Sequence, residues 1–121
     1  MSKRILVVED QEDNRRILRD LLTSVGFQLL EAEDGAQGVA AATAHRPDLI
    51  LMDIQMPILD GYEATRRIKA DPQLRAIPII VVTSYALSGD EDKARAAGCD
   101  DYITKPYSPR QLLAKIKEHL H

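Results

Sequence analysis

Three short runs of branched aliphatic residues punctuate the chain: Ile5 to Val8, Leu49 to Met52 and Ile79 to Val82. None is long enough for a helix, and none alternates apolar with polar positions. Strands buried on both faces of a parallel sheet have this pattern. Phe27 to Glu31 and Asp101 to Ile103 are weaker strand candidates. Between the runs the apolar spacing lengthens to that of helices. Ile17, Leu18, Leu21, Leu22 and Val25 mark one face of a first helix, with Arg15, Arg16, Arg19 and Asp20 elsewhere and Gly26 as its stop. Asp34 is placed to cap a second helix running to about His45, before Pro47. A third follows Asp60-Gly61, with Ala64 and Ile68 inward. Ser88-Gly89-Asp90-Glu91 fits a capping box for a fourth helix, ending at Gly98. Ser108-Pro109-Arg110-Gln111 combines a cap, a proline at the first helical position and a glutamine at the third. Leu112, Leu113, Ile116 and Leu120 form the apolar stripe of that last helix.

Strand and helix thus alternate from end to end with short loops. The alternation predicts an α/β fold: a parallel sheet, right-handed crossovers and helices on both faces. A length of 121 residues allows one domain, spanning 1–121, with room for one real core. Trp is absent and Phe27 is the sole phenylalanine, so that core must be aliphatic. The net charge of −3, with both signs interspersed, lacks the basic footprint of a nucleic-acid binder. No apolar run approaches the length of a membrane span, and no signal peptide is expected. A single cysteine, Cys99, cannot form an internal disulfide and is expected to be half-buried; the fit is to a reducing, cytoplasmic setting.

Chemistry collects where the strands end. Glu9 and Asp10 follow the first strong run, Asp53 the second, Thr83 and Ser84 the third, and Thr104 and Lys105 follow Ile103. Open α/β sheets bind ligands outside the carboxyl ends of their strands, so these groups are expected at one edge. Two carboxylates about 5 Å apart repel by roughly 3 kcal/mol at an effective dielectric of 20. Three acids and one lysine leave excess negative charge, so a carboxyl must hold a proton or a cation must bind. Oxygen ligands in an open site favour Mg²⁺, which would bring a phosphate donor close to Asp53 despite the like charges. The carboxylate could then act as a nucleophile and form an acyl phosphate. Taken singly, Asp53 could be a turn cap, Thr83 a loop hydroxyl and Lys105 a solvated side chain. Their recurrence at four strand ends favours the functional reading.

The segments VVED at Val7–Asp10, LILMDIQMPILDG at Leu49–Gly61, VVTS at Val81–Ser84 and YITKP at Tyr102–Pro106 resemble the receiver domains of response regulators. The likeness covers essentially the whole chain. It implies a doubly wound, five-stranded parallel sheet of order 2-1-3-4-5 with five helices. It further implies that Asp53 is the phosphoacceptor, and that Mg²⁺ is held by Glu9, Asp10, Asp53 and the Gln55 backbone carbonyl. By the same resemblance Thr83 is the switch hydroxyl, Tyr102 the aromatic that turns with it, and Lys105 the phosphate-pairing lysine before a cis Pro106. A sensor histidine kinase or phosphotransfer protein would be the donor, and a downstream protein the target, with no direct contact to nucleic acid or membrane. Such a protein is not an enzyme in the usual sense, but catalyses its own phosphorylation and slow hydrolysis, as a monomer or weak dimer. Tyr85, two past the switch threonine, is expected to shield the acyl phosphate and lengthen its life. The readout surface would be the fourth helix, fifth strand and fifth helix.

Other readings remain open at this point. The chain could be a single-domain regulator or the receiver portion of a hybrid kinase. A phosphohydrolase using Asp53 would want a second acid two residues on, where Gln55 stands. A flavodoxin-like binder would want a hydroxyl- or glycine-rich loop where Glu9-Asp10-Gln11-Glu12-Asp13 lies, and no P-loop is present. Arg15, Arg16 and Arg19 read as a solvated basic strip, which the resemblance offers as a kinase-docking face. His45, His119 and His121 show no spacing suited to zinc and read as surface residues.

Overall fold

A computed structural model describes residues 3–54, 56–83 and 90–120. The chain runs β1 (Arg4–Val8), α1 (Glu12–Ser24), β2 (Gln28–Ala32), α2 (Gly35–His45), β3 (Leu49–Asp53), α3 (Gly61–Ala70), β4 (Ile79–Thr83), α4 (Asp90–Ala97), β5 (Asp101–Thr104) and α5 (Pro109–His119). All neighbouring strands pair in parallel, in the order β2-β1-β3-β4-β5. The expected alternation and the strand order implied by the resemblance are both observed.

The apolar runs are unbroken because each strand buries both of its faces. Leu6, Val8, Ile50, Met52, Ile79 and Val81 face Ala42 of α2, Ala64 and Ile68 of α3, and Ala94 of α4. Their neighbours Ile5, Val7, Leu49, Leu51, Ile80 and Val82 face Leu18 and Leu22 of α1 and Leu112 and Ile116 of α5. Each fully buried aliphatic side chain contributes about 1.5–3 kcal/mol. β2 reads weakly in the sequence because it is the edge strand, with only Ala32 fully buried. Its pattern matches neither clean template.

Helix ends follow local chemistry. The Asp34 carboxylate accepts a hydrogen bond from the Gln37 amide at 2.8 Å, and Asp60 accepts one from the Glu63 amide at 2.9 Å. Ser108 and Gln111 form the reciprocal capping box, with Pro109 in the first turn. Gly26 takes φ of 97° at the stop of α1, a left-handed value that glycine adopts freely. The capping box expected at Ser88–Glu91 lies outside the described residues.

Two expectations for α1 need correction. Leu18 and Leu22 are buried, but Ile17 is 61% exposed and Val25 48% exposed. Five apolar positions span a wider arc than the sheet can cover, so Ile17 is left at the edge of the packed stripe. Arg15, read as part of a solvated strip, is only 6% exposed. Its guanidinium donates to the Glu9 carbonyl at 2.7 Å, which removes it from solvent.

Candidate functional site

Register levels the strand ends. Val8 pairs with Met52, Met52 with Val81 and Val81 with Tyr102, so Glu9 and Asp53 emerge in the next row. One step further, Thr83 pairs with Thr104. The parallel sheet therefore delivers acids, hydroxyl and lysine to one edge, as the strand ends predicted.

One carboxylate oxygen from each of Glu9, Asp10 and Asp53 lies within 4.8 Å of the other two. Glu9 is 3% exposed and Asp53 8%, so like charges are crowded where water screens them poorly. Lys105 reaches in from just past β5, its Nζ 3.3 Å from Glu9 Oε1 and 3.9 Å from Asp53 Oδ1. The Lys105 backbone amide donates to the Thr83 carbonyl at 2.7 Å, fixing the stem of the side chain. The Lys105–Pro106 bond is cis, as expected.

The charge imbalance is visible in the acids. Burial, followed by the hydrogen bond and charge of Glu9, pushes Asp53 up to about 7, against the pull of Lys105 and the Ile54 amide. Burial and Glu9 also raise Asp10. Burial would raise Glu9 too, but hydrogen bonds from Asp53, Asp10 and Asn14, with the Lys105 charge, outweigh it and lower Glu9 to about 2. The cluster holds a proton near neutrality because one lysine does not balance three carboxylates. Three hard oxygen donors with surplus negative charge fit a divalent cation such as Mg²⁺.

The loop after β3 is shaped to keep Asp53 in place. The Gly61 amide donates to the Ile54 carbonyl at 3.0 Å. A Cβ at Gly61 would stand 2.1 Å from the Asp53 carbonyl oxygen, so only glycine allows this approach. Between them Ile58 takes φ of 71° and is 82% exposed, an unusual backbone for a β-branched residue.

The site opens into a cleft of about 570 Å³. Glu9, Asp53 and Lys105 lie along it, with Ile17, Pro106 and Tyr107 supplying apolar wall. Thr83 is 6% exposed at the end of β4. Tyr102 is half-buried and packs on the cluster that includes Ile79, Val81 and Ala94. Gln55, Ser84 and Tyr85 lie outside the described residues, so the expectations attached to them stop at the sequence.

Three neighbours of the acids were not singled out from the sequence as site residues. Asn14 donates from its Nδ2 to Glu9 Oε1 at 2.8 Å and so orients that carboxylate. An amide in the first turn after an acidic pair is the signal that could have found it. Tyr107 walls the cleft; burial first, then the charges of Glu9 and Asp53, push its phenol up. Arg15 binds the Glu9 main chain. His119 also needs correction, because it is not a plain surface residue. Its Nε2 lies 3.1 Å from Asp101 Oδ2, with Lys115 Nζ 3.1 Å from Oδ1 and Glu118 close by. Both Asp101 oxygens are thus engaged at the start of β5, away from the acidic cluster.

Comparison with known proteins gives a consistent family. A response regulator receiver domain model matches residues 5–117. The polar-differentiation response regulator DivK of Brucella anthropi is 43% identical over 120 residues, covering 99% of this chain and 98% of DivK. The receiver domain of a sensor histidine kinase from Pseudomonas aeruginosa, solved with magnesium coordinated in its active-site cleft, is 39% identical with a TM-score of 0.91, covering 98% of this chain and 97% of that one. The signal receiver domain of a histidine kinase from Syntrophus aciditrophicus is 35% identical with a TM-score of 0.93, covering 98% of this chain and 90% of that one.

Proposed function

The chain belongs to the response-regulator receiver family of two-component phosphorelay signalling, and on that footing we propose that it accepts a phosphoryl group on Asp53 with Mg²⁺ held at Glu9, Asp10 and Asp53. The observation that carries the reading is the meeting of those three carboxylates within 4.8 Å, with the Lys105 ammonium alongside. Mg²⁺ bound there would supply a compact positive charge that offsets the like charges of carboxylate and phosphoryl oxygens.

The chain's own groups then have separable tasks. An Asp53 oxygen forms a bond to phosphorus while the phosphorus–nitrogen bond of a donor phosphohistidine breaks and the imidazole nitrogen keeps the electron pair. The proton on Asp53 must leave first, since only the carboxylate is nucleophilic. Lys105 stands 3.9 Å from Asp53 Oδ1 and can pair with a transferred phosphoryl oxygen. Thr83 offers a hydroxyl from the neighbouring strand. Its movement toward the phosphoryl group, with Tyr102 turning inward beside it, would alter the face formed by α4, β5 and α5. A downstream protein would read that face. A phosphohistidine on a sensor kinase or phosphotransfer protein is the donor this site suits.

Incubation with Mg²⁺ and a small acyl-phosphate donor, followed by intact mass, tests the reading. One phosphoryl group should be gained by the wild-type chain and none by Asp53→Asn. Absence of an adduct, together with failure to bind a beryllofluoride mimic, would refute it.

A further inference from the structure

Arg15 is a buried cation that the phosphoacceptor chemistry above does not use. Its Nη1 donates to the main-chain carbonyl of Glu9 at 2.7 Å, in a buried hydrogen bond. Three carboxylates from three places in the chain gather round the same guanidinium. Glu12 pairs with it from the same helix. Glu31 of β2 lies 3.5 Å from Nε, and Glu33 of the following loop 3.5 Å from Nη2. The planar fork of an arginine can satisfy a carbonyl and several carboxylates at once, whereas a lysine ammonium cannot match that geometry.

The location gives this arrangement its meaning. The Glu9 amide donates to the Ala32 carbonyl at 3.0 Å, so one side of the Glu9 peptide is tied to β2. Arg15 ties the other side to α1. Between these two anchors the chain leaves the sheet and presents the carboxylates of Glu9 and Asp10. Asn14, one residue before Arg15, holds the Glu9 side chain at 2.8 Å. The first turn of α1 therefore grips Glu9 by main chain and side chain together.

We infer that Arg15 is a positioning residue for cation binding: by clamping the Glu9 carbonyl it fixes the turn from which Glu9 and Asp10 project toward Asp53. The inference rests on the metal reading of the acidic cluster. Glu12, Glu31 and Glu33 serve to hold the guanidinium in place and to compensate its burial. Groups that orient a metal's ligands set how tightly the ion is held, and Arg15 reaches only the Glu9 main chain, not Asp53 or Lys105.

The test is a titration of the full chain with Mg²⁺ alone, followed by amide NMR, in wild type, Arg15→Met and Arg15→Lys. Arg15→Met should weaken Mg²⁺ binding by about tenfold, the range seen when groups holding a metal's ligands are removed, and Arg15→Lys should recover part of the loss. With an acyl-phosphate donor, the Mg²⁺ concentration for half-maximal rate should rise in the variants, while the rate at saturating Mg²⁺ stays within about twofold of wild type. If Arg15→Met does not fold, Arg15→Lys and Glu33→Gln carry the comparison, both binding Mg²⁺ more weakly than wild type. Variants that lose thermal stability yet bind Mg²⁺ like wild type would make Arg15 a structural staple and overturn the inference alone. A wild-type chain with no Mg²⁺ response would overturn the metal reading and the inference with it.

Discussion

Asp53 carries a proton near neutrality because burial and the Glu9 carboxylate raise it to about 7 from an ordinary 3.8. The folded state thus binds this proton more tightly than the unfolded chain does. Its contribution to stability is full below pH 3.8 and is lost as pH rises through about 7. Glu9 has the opposite sign: lowered from 4.5 to about 2, its contribution is present above 4.5 and lost as pH falls through about 2. Without divalent ions, Asp53→Asn should therefore melt above wild type at pH 8, and the gap should close toward pH 5, as thermal scans at both values would read. Thr65 makes a second residue-scale case. Its Oγ1 is buried with no hydrogen-bond partner among the described residues. Thr65→Val should stabilise the chain by about 1 kcal/mol in urea unfolding, since the shape is kept and an unsatisfied hydroxyl is removed. Asp53 was legible because it follows an apolar run, and Lys105 because it follows a strand candidate within the YITKP segment. Arg15 was not, because arginine in a helix is read as solvated, and the acids that make its burial tolerable include Glu31 and Glu33 from a different part of the chain.

Among the elements, α5 is the one whose start, face and cap could be read together. Its capping box satisfies two end amides reciprocally, so Ser108→Ala should cost about 1 kcal/mol, measured as a lower denaturation midpoint with unchanged slope. β1, β3 and β4 were legible for a different reason: strands covered on both faces are apolar along their length, with polar residues only at their ends. β2 was harder because its edge position mixes exposed and half-buried residues. The face of α1 was misjudged by one side chain in particular. Ile17 has helical spacing but lies beside the cleft rather than under the sheet. Periodicity gives the direction of a stripe and not the width of what covers it.

For the molecule as a whole, the proposed metal site makes proton and cation competitors for one charge deficit. Mg²⁺ should raise the melting temperature, and more at pH 8 than at pH 6, where Asp53 keeps more of its proton. At ten times its dissociation constant the ion should stabilise the fold by about 1.4 kcal/mol by mass action. Equal shifts at both pH values would argue that the ion binds away from Asp53. The strand order that gathers the acids was legible only through the resemblance, since spacing alone does not say which strands are neighbours. That same parallel arrangement separates the two ends of the sheet. At the end opposite the acids, Asp48 accepts the Arg4 amide at 2.8 Å, and Asp100 accepts the Ile79 amide at 2.8 Å while pairing with Lys69. The Gly26 turn belongs to this quiet end, and a Cβ built there would meet nothing within 4 Å. It is thus a permissive graft point: a fluorescent or affinity peptide spliced in at that turn should report on the protein in a living cell while phosphoryl uptake continues unaltered.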